Sequence, residues 1–379
     1  MPTIINFGRT PTVIGWDQRA YFGGPHLEDI LVGDSNITGA SAKTLRIEHN
    51  GLNMFAKIQG SFTFSSGEMT DYTVKKITFF YEGEKFQVWK GLQWDMETLE
   101  PAIDAYDSGD DTAIADFLAG ETFRFILDGD AEDPGYQVLT EGNDRYIAKP
   151  GSTFLQDGIT LFSFEGNDVI DLRARNEDTS VNSGSGNDKV LLGDGMTLVR
   201  SGGGRDVIRG GDGADNIDGQ GGRDKIFGAG GDDAYLAGGR GNDRVSGGEG
   251  DDEIYDTKGN NRLFGDEGND NIYGRGLLHG GAGDDTIRSS SRKTTDTFDF
   301  RLKGDESYGR DNISGNFNER IGDIDRLVFD EGTEFTYSVN SNNMNLTVRT
   351  TLDGEDTGVV VISGGGFFTS DILDSIEFL

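Results

Sequence analysis

Between residues 201 and 288 one large apolar side chain returns about every nine positions, each time two residues after an acid or amide. The pattern is G-G-x-G-x-D-x-U-x, with U large and apolar, and its best copies start at 201, 210, 219, 228, 238, 247, 256, 265 and 280. The U positions carry Ile208, Ile217, Ile226, Tyr235, Val245, Ile254, Leu263, Ile272 and Ile287. A fixed period of this kind predicts a repeat architecture. Six residues form a tight turn, and the remaining three form a minimal strand whose central side chain points inward. Two nonapeptides then make one turn of a coil, and stacked turns form two short parallel sheets around an aliphatic core.

The flanks have a different pattern. TLRIEHN, MFAKIQGSFTF, YTVKKITFFYE and KFQVWKG, within residues 44–91, alternate or cluster β-branched and aromatic residues, with SSGE and EGEK as turns. The spacing over about 95–106 and 111–119 predicts two short helices, the second capped by Asp111 and ended by Gly120. Residues 121–140 read as acidic and irregular, and SSSRKTTD (289–296) as a polar linker. DRLVFD, FTYSVN, MNLTVRT and TGVVVIS return to strand patterning before the ending DILDSIEFL. The expected fold class is all-β: a mostly-β region with two short helices (1–140), a parallel β-roll (141–288) and a β-rich C-terminal segment (289–379).

Composition narrows the chemistry. Glycine supplies 59 of 379 residues, about twice its usual share of ~7%. The net charge of −33, from 34 basic and 67 acidic residues, repels nucleic acid and anionic lipid and attracts cations. The chain has no cysteine, which excludes disulfides, zinc–thiolate sites and cysteine nucleophiles. No apolar run approaches the ~18 residues of a membrane span. The N-terminus, MPTIINFGRTPTVIGW, lacks the basic and apolar segments of a cleavable signal peptide.

An acidic repeat with a thin core needs a staple. The sixth repeat position carries Asp206, Asp215, Asp224, Asp233, Asp243, Asp252, Asn261, Asp270 and Asp285, and looser copies at 141–147, 165–171 and 184–192 add Asp188. Stacking sets each carboxylate directly above another, with backbone carbonyls beside it, and an unneutralised column of this kind repels itself. A hard cation with oxygen ligands removes the repulsion and cross-links the layers; calcium, tolerant of flexible carbonyl-rich shells, fits better than magnesium. Besides the aspartates, the expected metal-site residues are the glycines of each turn: Gly202 and Gly204, Gly211 and Gly213, Gly222, Gly231, Gly239 and Gly241, Gly248 and Gly250, Gly268, and Gly281 and Gly283. Neighbours on one edge lie two repeats apart. The first edge should therefore carry Asp206, Asp224, Asp243 and Asn261, and the second Asp215, Asp233, Asp252, Asp270 and Asp285. Ala237 is an extra residue that should bulge the roll, GRGLLH (274–279) is a shortened half-turn, and Asn261 should weaken its site. By this geometry the roll holds roughly six to eight ions.

The tandem motif resembles the RTX, or haemolysin-type, calcium-binding nonapeptide. The resemblance implies a parallel β-roll that folds on extracellular calcium, and export through a type I apparatus by an uncleaved C-terminal signal. DTFDF (296–300), GRDNISGNF (309–317) and GDIDRLVF (322–329) resemble the segment that follows such repeats, and DILDSIEFL resembles a type I secretion tail.

Catalytic signatures are missing from the sequence. His26, His49 and His279 stand in no H-E-x-x-H context, no G-x-S-x-G occurs, and GDSN (33–36) has no partner D-x-x-H. Glu97, Glu100, Asp104, Asp107, Asp110 and Asp111 read as a solvated helix face, and Trp16, Phe79, Phe80, Tyr81, Trp89 and Trp94 as the core of the N-terminal region. The expected function is that of a secreted calcium-binding protein, not an enzyme, with a structural or adhesive role at the cell surface as a layer, filament or matrix component. Its expected partners are calcium, other copies of itself, cell-surface polysaccharide and the export apparatus, with no nucleic acid. The rival reading is a small secreted polysaccharide hydrolase with its site in residues 1–140.

Overall fold

A computed structural model describes residues 3–6, 35–41, 43–49, 54–65, 68–81, 84–95, 97–99, 101, 105, 124–127, 136–139, 142–148, 159–290, 295–302, 307–315, 325–340, 345–363 and 375–379. The fold is all-β with a parallel β-solenoid of about eight turns. The chain divides into two compact units, Met1–Val190 and Leu191–Leu379.

In the first unit, Ser35–Ser41, Thr44–His49, Met54–Ser65, Glu68–Tyr81 and Glu84–Asp95 form an antiparallel meander. Tyr72 and Val74 point into its core, and the inward phase then moves to Ile77 because the register shifts between Val74 and Lys76. A bulge adds one residue and turns the following side chains to the other face. Trp94 is buried, as a core role requires; Trp16 lies outside the described residues. Residues 97–99, 101 and 105 are helical, whereas the helix expected at 111–119 lies outside the described residues.

The expectation that residues 121–140 are irregular is corrected. Arg124–Leu127 and Tyr136–Val138 are strands, and each belongs to a parallel stack, the first lying parallel to Thr3–Asn6. Arg124–Leu127 pairs with Arg145–Ile147, which pairs with Val169–Asp171 in the register Tyr146↔Ile170. Tyr136–Val138 pairs with Ile159–Phe162, which pairs with Thr179–Asn182 in the register Leu161↔Val181. Tyr146, Ile170, Leu161 and Val181 are all buried.

The second unit holds the tandem nonapeptides. One sheet aligns Ile208, Ile226, Val245, Leu263, Leu278, Phe298 and Leu327; the other aligns Val199, Ile217, Leu236, Ile254, Ile272, Ile287 and Ile313. All fourteen are buried to within 1% of complete. Two apolar columns at the inter-strand spacing of ~4.8 Å thus run along the interior of the coil.

Leu236 in that column corrects the expected inward residue. Asp233 and Leu236 keep their places above Asp215 and Ile217, so the ten-residue repeat takes up its extra residue at Ala234–Tyr235. Ala237 pairs in register with Asp218, and Tyr235 is turned outward, 39% exposed. The polar stretch 289–296 does not end the stack: Thr297–Asp299 pairs beside Leu277 and Leu278. Glu334–Asn340, Asn345–Leu352 and Glu355–Ile362 form a terminal antiparallel meander whose last strand pairs in parallel with Arg310–Ser314. Phe300 packs between Phe329 and Tyr308, each at 5.3 Å, and Ile376–Phe378 lies parallel to Arg326–Phe329. Residues 371–374 of the ending lie outside the described residues.

Candidate metal centre

Each turn ends on an aspartate whose side chain folds back under the turn, and one carboxylate oxygen is committed to the coil itself. On the first edge, Oδ1 of Asp224, Asp243 and Asn261 accepts the backbone N–H of Asp206, Asp224 and Asp243 respectively, at 2.8–3.0 Å. On the second edge, the Oδ1 atoms of Asp215, Asp233, Asp252, Asp270 and Asp285 accept from Thr197, Asp215, Asp233, Asp252 and Asp270, at 2.7–2.9 Å. The spacing-based columns are therefore the observed ones. In the first unit the looser copies form the same ladder: Asp168 accepts from Asp144, and Asp188 from Asp168, both at 2.8 Å.

The second carboxylate oxygen is different. Among the described residues, Oδ2 of Asp168, Asp224, Asp233, Asp243, Asp252, Asp256, Asp270, Asp285 and Asp311 is buried with no hydrogen-bond partner. Burial without compensation disfavours the charged form. Desolvation, reinforced by the carboxylates of Asp252 and Asp215, pushes Asp233 up to about 8. Desolvation and the neighbouring Asp285 and Asp252 likewise raise Asp270 to about 8. Asp224 and Asp252 rise to about 7, and Asp215 and Asp285 to about 6, with desolvation the leading cause in each. In several of them the neighbouring carboxylates of the same column add to the rise, which is the mutual repulsion that the stacked spacing implies.

The glycines bring the complementary oxygens. A Cβ placed on Gly228 would lie 2.0 Å from Asp233 Oδ2 and 2.4 Å from the Gly247 carbonyl oxygen; on Gly265 it would lie 1.9 Å from Asp270 Oδ2 and 2.4 Å from the Gly280 oxygen. The first glycine thus leaves a cradle in which a carboxylate oxygen of its own layer and a carbonyl oxygen of the next converge. The fourth glycine serves stacking: Gly268 has φ +125°, and a Cβ there would lie 2.0 Å from the Gly250 carbonyl oxygen. The same approach places the carbonyls of Gly204, Gly213, Gly222, Gly231 and Gly241 against the next layer, and those facing Gly211, Gly239, Gly248 and Gly281 at the second position belong to Gly193, Gln220, Ala229 and Asp266. Gly202 takes φ +92° in the first of these turns, and Gly283 stacks on Gly268. Buried carboxylate oxygens without donors, set beside carbonyl oxygens, suit a hard cation. Among the described residues no three acidic or imidazole side chains converge, so carbonyls must supply much of any shell.

Asn261 behaves as a built-in substitute for that cation. Its amide donates to the carbonyl oxygens of Asp256 and Lys258, at 3.3 and 3.2 Å, which satisfies oxygens that an aspartate leaves open. The same turn brings in a carboxylate not foreseen from the sequence. Asp256 stands in the first-glycine position, is 1% exposed, and is raised to about 7 by desolvation and by Asp243.

Three further aspartates extend the ladders beyond the expected set. Asp311 accepts from Asp285 at 3.1 Å, Asp296 from Gly276 at 2.8 Å, and Asp325 from Asp296 at 2.9 Å. The half-turn 274–276 contributes no carboxylate of its own, as its shortness predicts. A D-x-U signature (DNI, DTF, DRL) marks all three added aspartates, and the first-position glycines Gly210, Gly228, Gly247, Gly265 and Gly280 are the other omission.

A parallel coil with carboxylate and carbonyl columns at its edges defines a metal-stabilised β-roll. The family profile of the RTX calcium-binding nonapeptide repeat matches it in four copies, at residues 200–235, 234–255, 246–276 and 277–291. This stretch carries RTX repeats, and RTX repeats bind calcium. No curated protein sequence matches the chain. Among solved structures, the extracellular lipase LipA from Serratia marcescens aligns over 92% of this chain and 86% of its own, with 14% identity and a TM-score of 0.26.

Proposed function

We propose that this protein is a secreted, calcium-loaded scaffold with a structural or adhesive role at the cell surface, acting by binding and not by turnover. The observation that carries the reading is the set of stacked carboxylates, each with one oxygen in the coil ladder and one buried beside carbonyls without a donor. At low intracellular calcium, repulsion within the columns keeps the repeats unfolded and fit for export. At extracellular calcium the sites fill, since modules of this kind bind at ~10⁻⁴–10⁻³ M, and binding free energy becomes folding free energy. Calcium then does the work of the missing disulfides. RTX repeats typify proteins exported by type I secretion, which supports export here, and no described helix is long and apolar enough to cross a membrane.

The test is circular dichroism and hydrodynamic size of the full chain, first with chelator and then with millimolar calcium. Conversion of an expanded coil into β structure, followed by growth into large ordered particles, is the expected result. A chain that folds and stays monomeric at high concentration sinks the scaffold role; a chain indifferent to calcium sinks the whole reading.

A further inference from the structure

The turns of the two edges expose charges of opposite sign. On the first edge, Arg205, Arg223, Arg240 and Lys258 are exposed, while Asp206, Asp224, Asp243 and Asp256 are at most 2% exposed. On the second edge, Asp212, Asp232, Glu249, Asp251, Glu267 and Asp284 are exposed, and its turns at 210–215, 228–233, 247–252, 265–270 and 280–285 contain no Lys or Arg. In a chain of net charge −33 the cations of these turns all lie on one edge.

Register sharpens the contrast. Arg240 stands directly opposite Lys258 in adjacent layers, and Glu249 directly opposite Glu267. Like charges facing each other across neighbouring strands repel. Neither Arg240 nor Lys258 is in an ion pair among the described residues. Each edge is thus left with a strained pair that an opposite pair would relieve, and both pairs share the inter-strand spacing of ~4.8 Å. A second copy of this coil matches that spacing without adjustment.

We propose that the first edge of one copy docks along the second edge of another, with Arg240 and Lys258 set against the partner copy's acidic pair at Glu249 and Glu267. The contact joins unlike surfaces, so it leaves a free basic edge and a free acidic edge at the ends of every assembly. Such heterologous contacts propagate into filaments or layers unless a rotation closes them into a ring. The inference rests on the scaffold reading and supplies its interface.

The experiment uses the full chain in millimolar calcium, with assembly followed by light scattering and folding by circular dichroism. In saturating calcium R240E/K258E and E249K/E267K should each reach the wild-type fold, E249K/E267K at a higher calcium midpoint because it removes acids from the second edge, and each should need on the order of tenfold more protein to assemble. An equimolar mixture of the two should assemble near the wild-type concentration, because each variant restores the other's complement. The neutral variant R240Q/K258Q should fall between. Assembly of both double variants at the wild-type concentration overturns this interface while leaving the scaffold role standing. If R240E/K258E assembles more readily and only E249K/E267K fails, calcium bridges between acidic edges replace the proposed pairing. A wild-type chain that folds but never assembles defeats the scaffold reading, and this contact with it.

Discussion

The two edges of the coil are written in one nonapeptide, yet they present a cation with different surroundings. The second edge has an unbroken run, Asp215, Asp233, Asp252, Asp270, Asp285 and Asp311, each aspartate taking the preceding one's N–H. Acids ring these turns, and Asp232 and Asp251 help raise Asp233 and Asp252. On the first edge the run is broken by Asn261 and by the half-turn at Gly276, and Arg223 lowers Asp243 against its desolvation. Local charge count tunes calcium affinity. The second edge should therefore fill first and act as the folding staple, with the first edge filling after it.

The largest effects should fall on what the edges share. Leu263→Ala and Ile272→Ala empty fully buried sites in the two columns. Each should cost ~2–5 kcal/mol of stability in saturating calcium. Denaturant titration checks this, and a loss well under ~1 kcal/mol at either site would mean that its column is not packed as core.

Carboxylate removal should separate the edges. The double variant D252N/D270N should raise the calcium midpoint of folding on the order of tenfold, and D224N/D243N about threefold. Equal shifts would dissolve the ranking. In the opposite direction, Asn261→Asp removes the amide that satisfies the Asp256 and Lys258 carbonyls and adds a carboxylate. It should lower the midpoint of the first edge by about threefold, while destabilising the chain in chelator.

How far the sequence specified this arrangement depends on how regular the repeat is. Where nine residues separate the aspartates, period alone placed the columns, because strand pairing admits one register per period. At 228–237 the period is ten, and sequence spacing cannot say whether the extra residue precedes or follows the strand. Packing decides: Leu236 fits the aliphatic column at 0% exposure, while the larger, hydroxyl-bearing Tyr235 goes to solvent. Asp296, Asp311 and Asp325 were hidden because their ladder partners lie 20, 26 and 29 residues away. Long excursions carry no period, and only the chain's return to the stack reveals them. Asp256 was hidden for the converse reason: it replaces the first glycine of its repeat, a position where the motif offers no carboxylate, and there it is set beside Asp243.

Protons offer the finest probe of the comparison, because they compete with calcium for the same oxygens. Burial raises these carboxyls to about 6 to 8 in the coil, against about 3.9 for an unfolded aspartate. The coil therefore holds its protons more tightly than the unfolded chain does. Without calcium its stability is greatest below about pH 4 and is lost as pH rises through 6 to 8. With calcium the dependence reverses in sign: the ion must displace those protons, so the folding midpoint in calcium should rise as pH falls from 8 to 6. The rise should be steeper in D224N/D243N, where the second edge carries the binding, than in D252N/D270N, where it does not. Calcium titrations of both variants at pH 8, 7 and 6 measure the two slopes. Parallel slopes would mean that the two edges hold their protons alike, and that the exposed charges around them do not reach the buried oxygens.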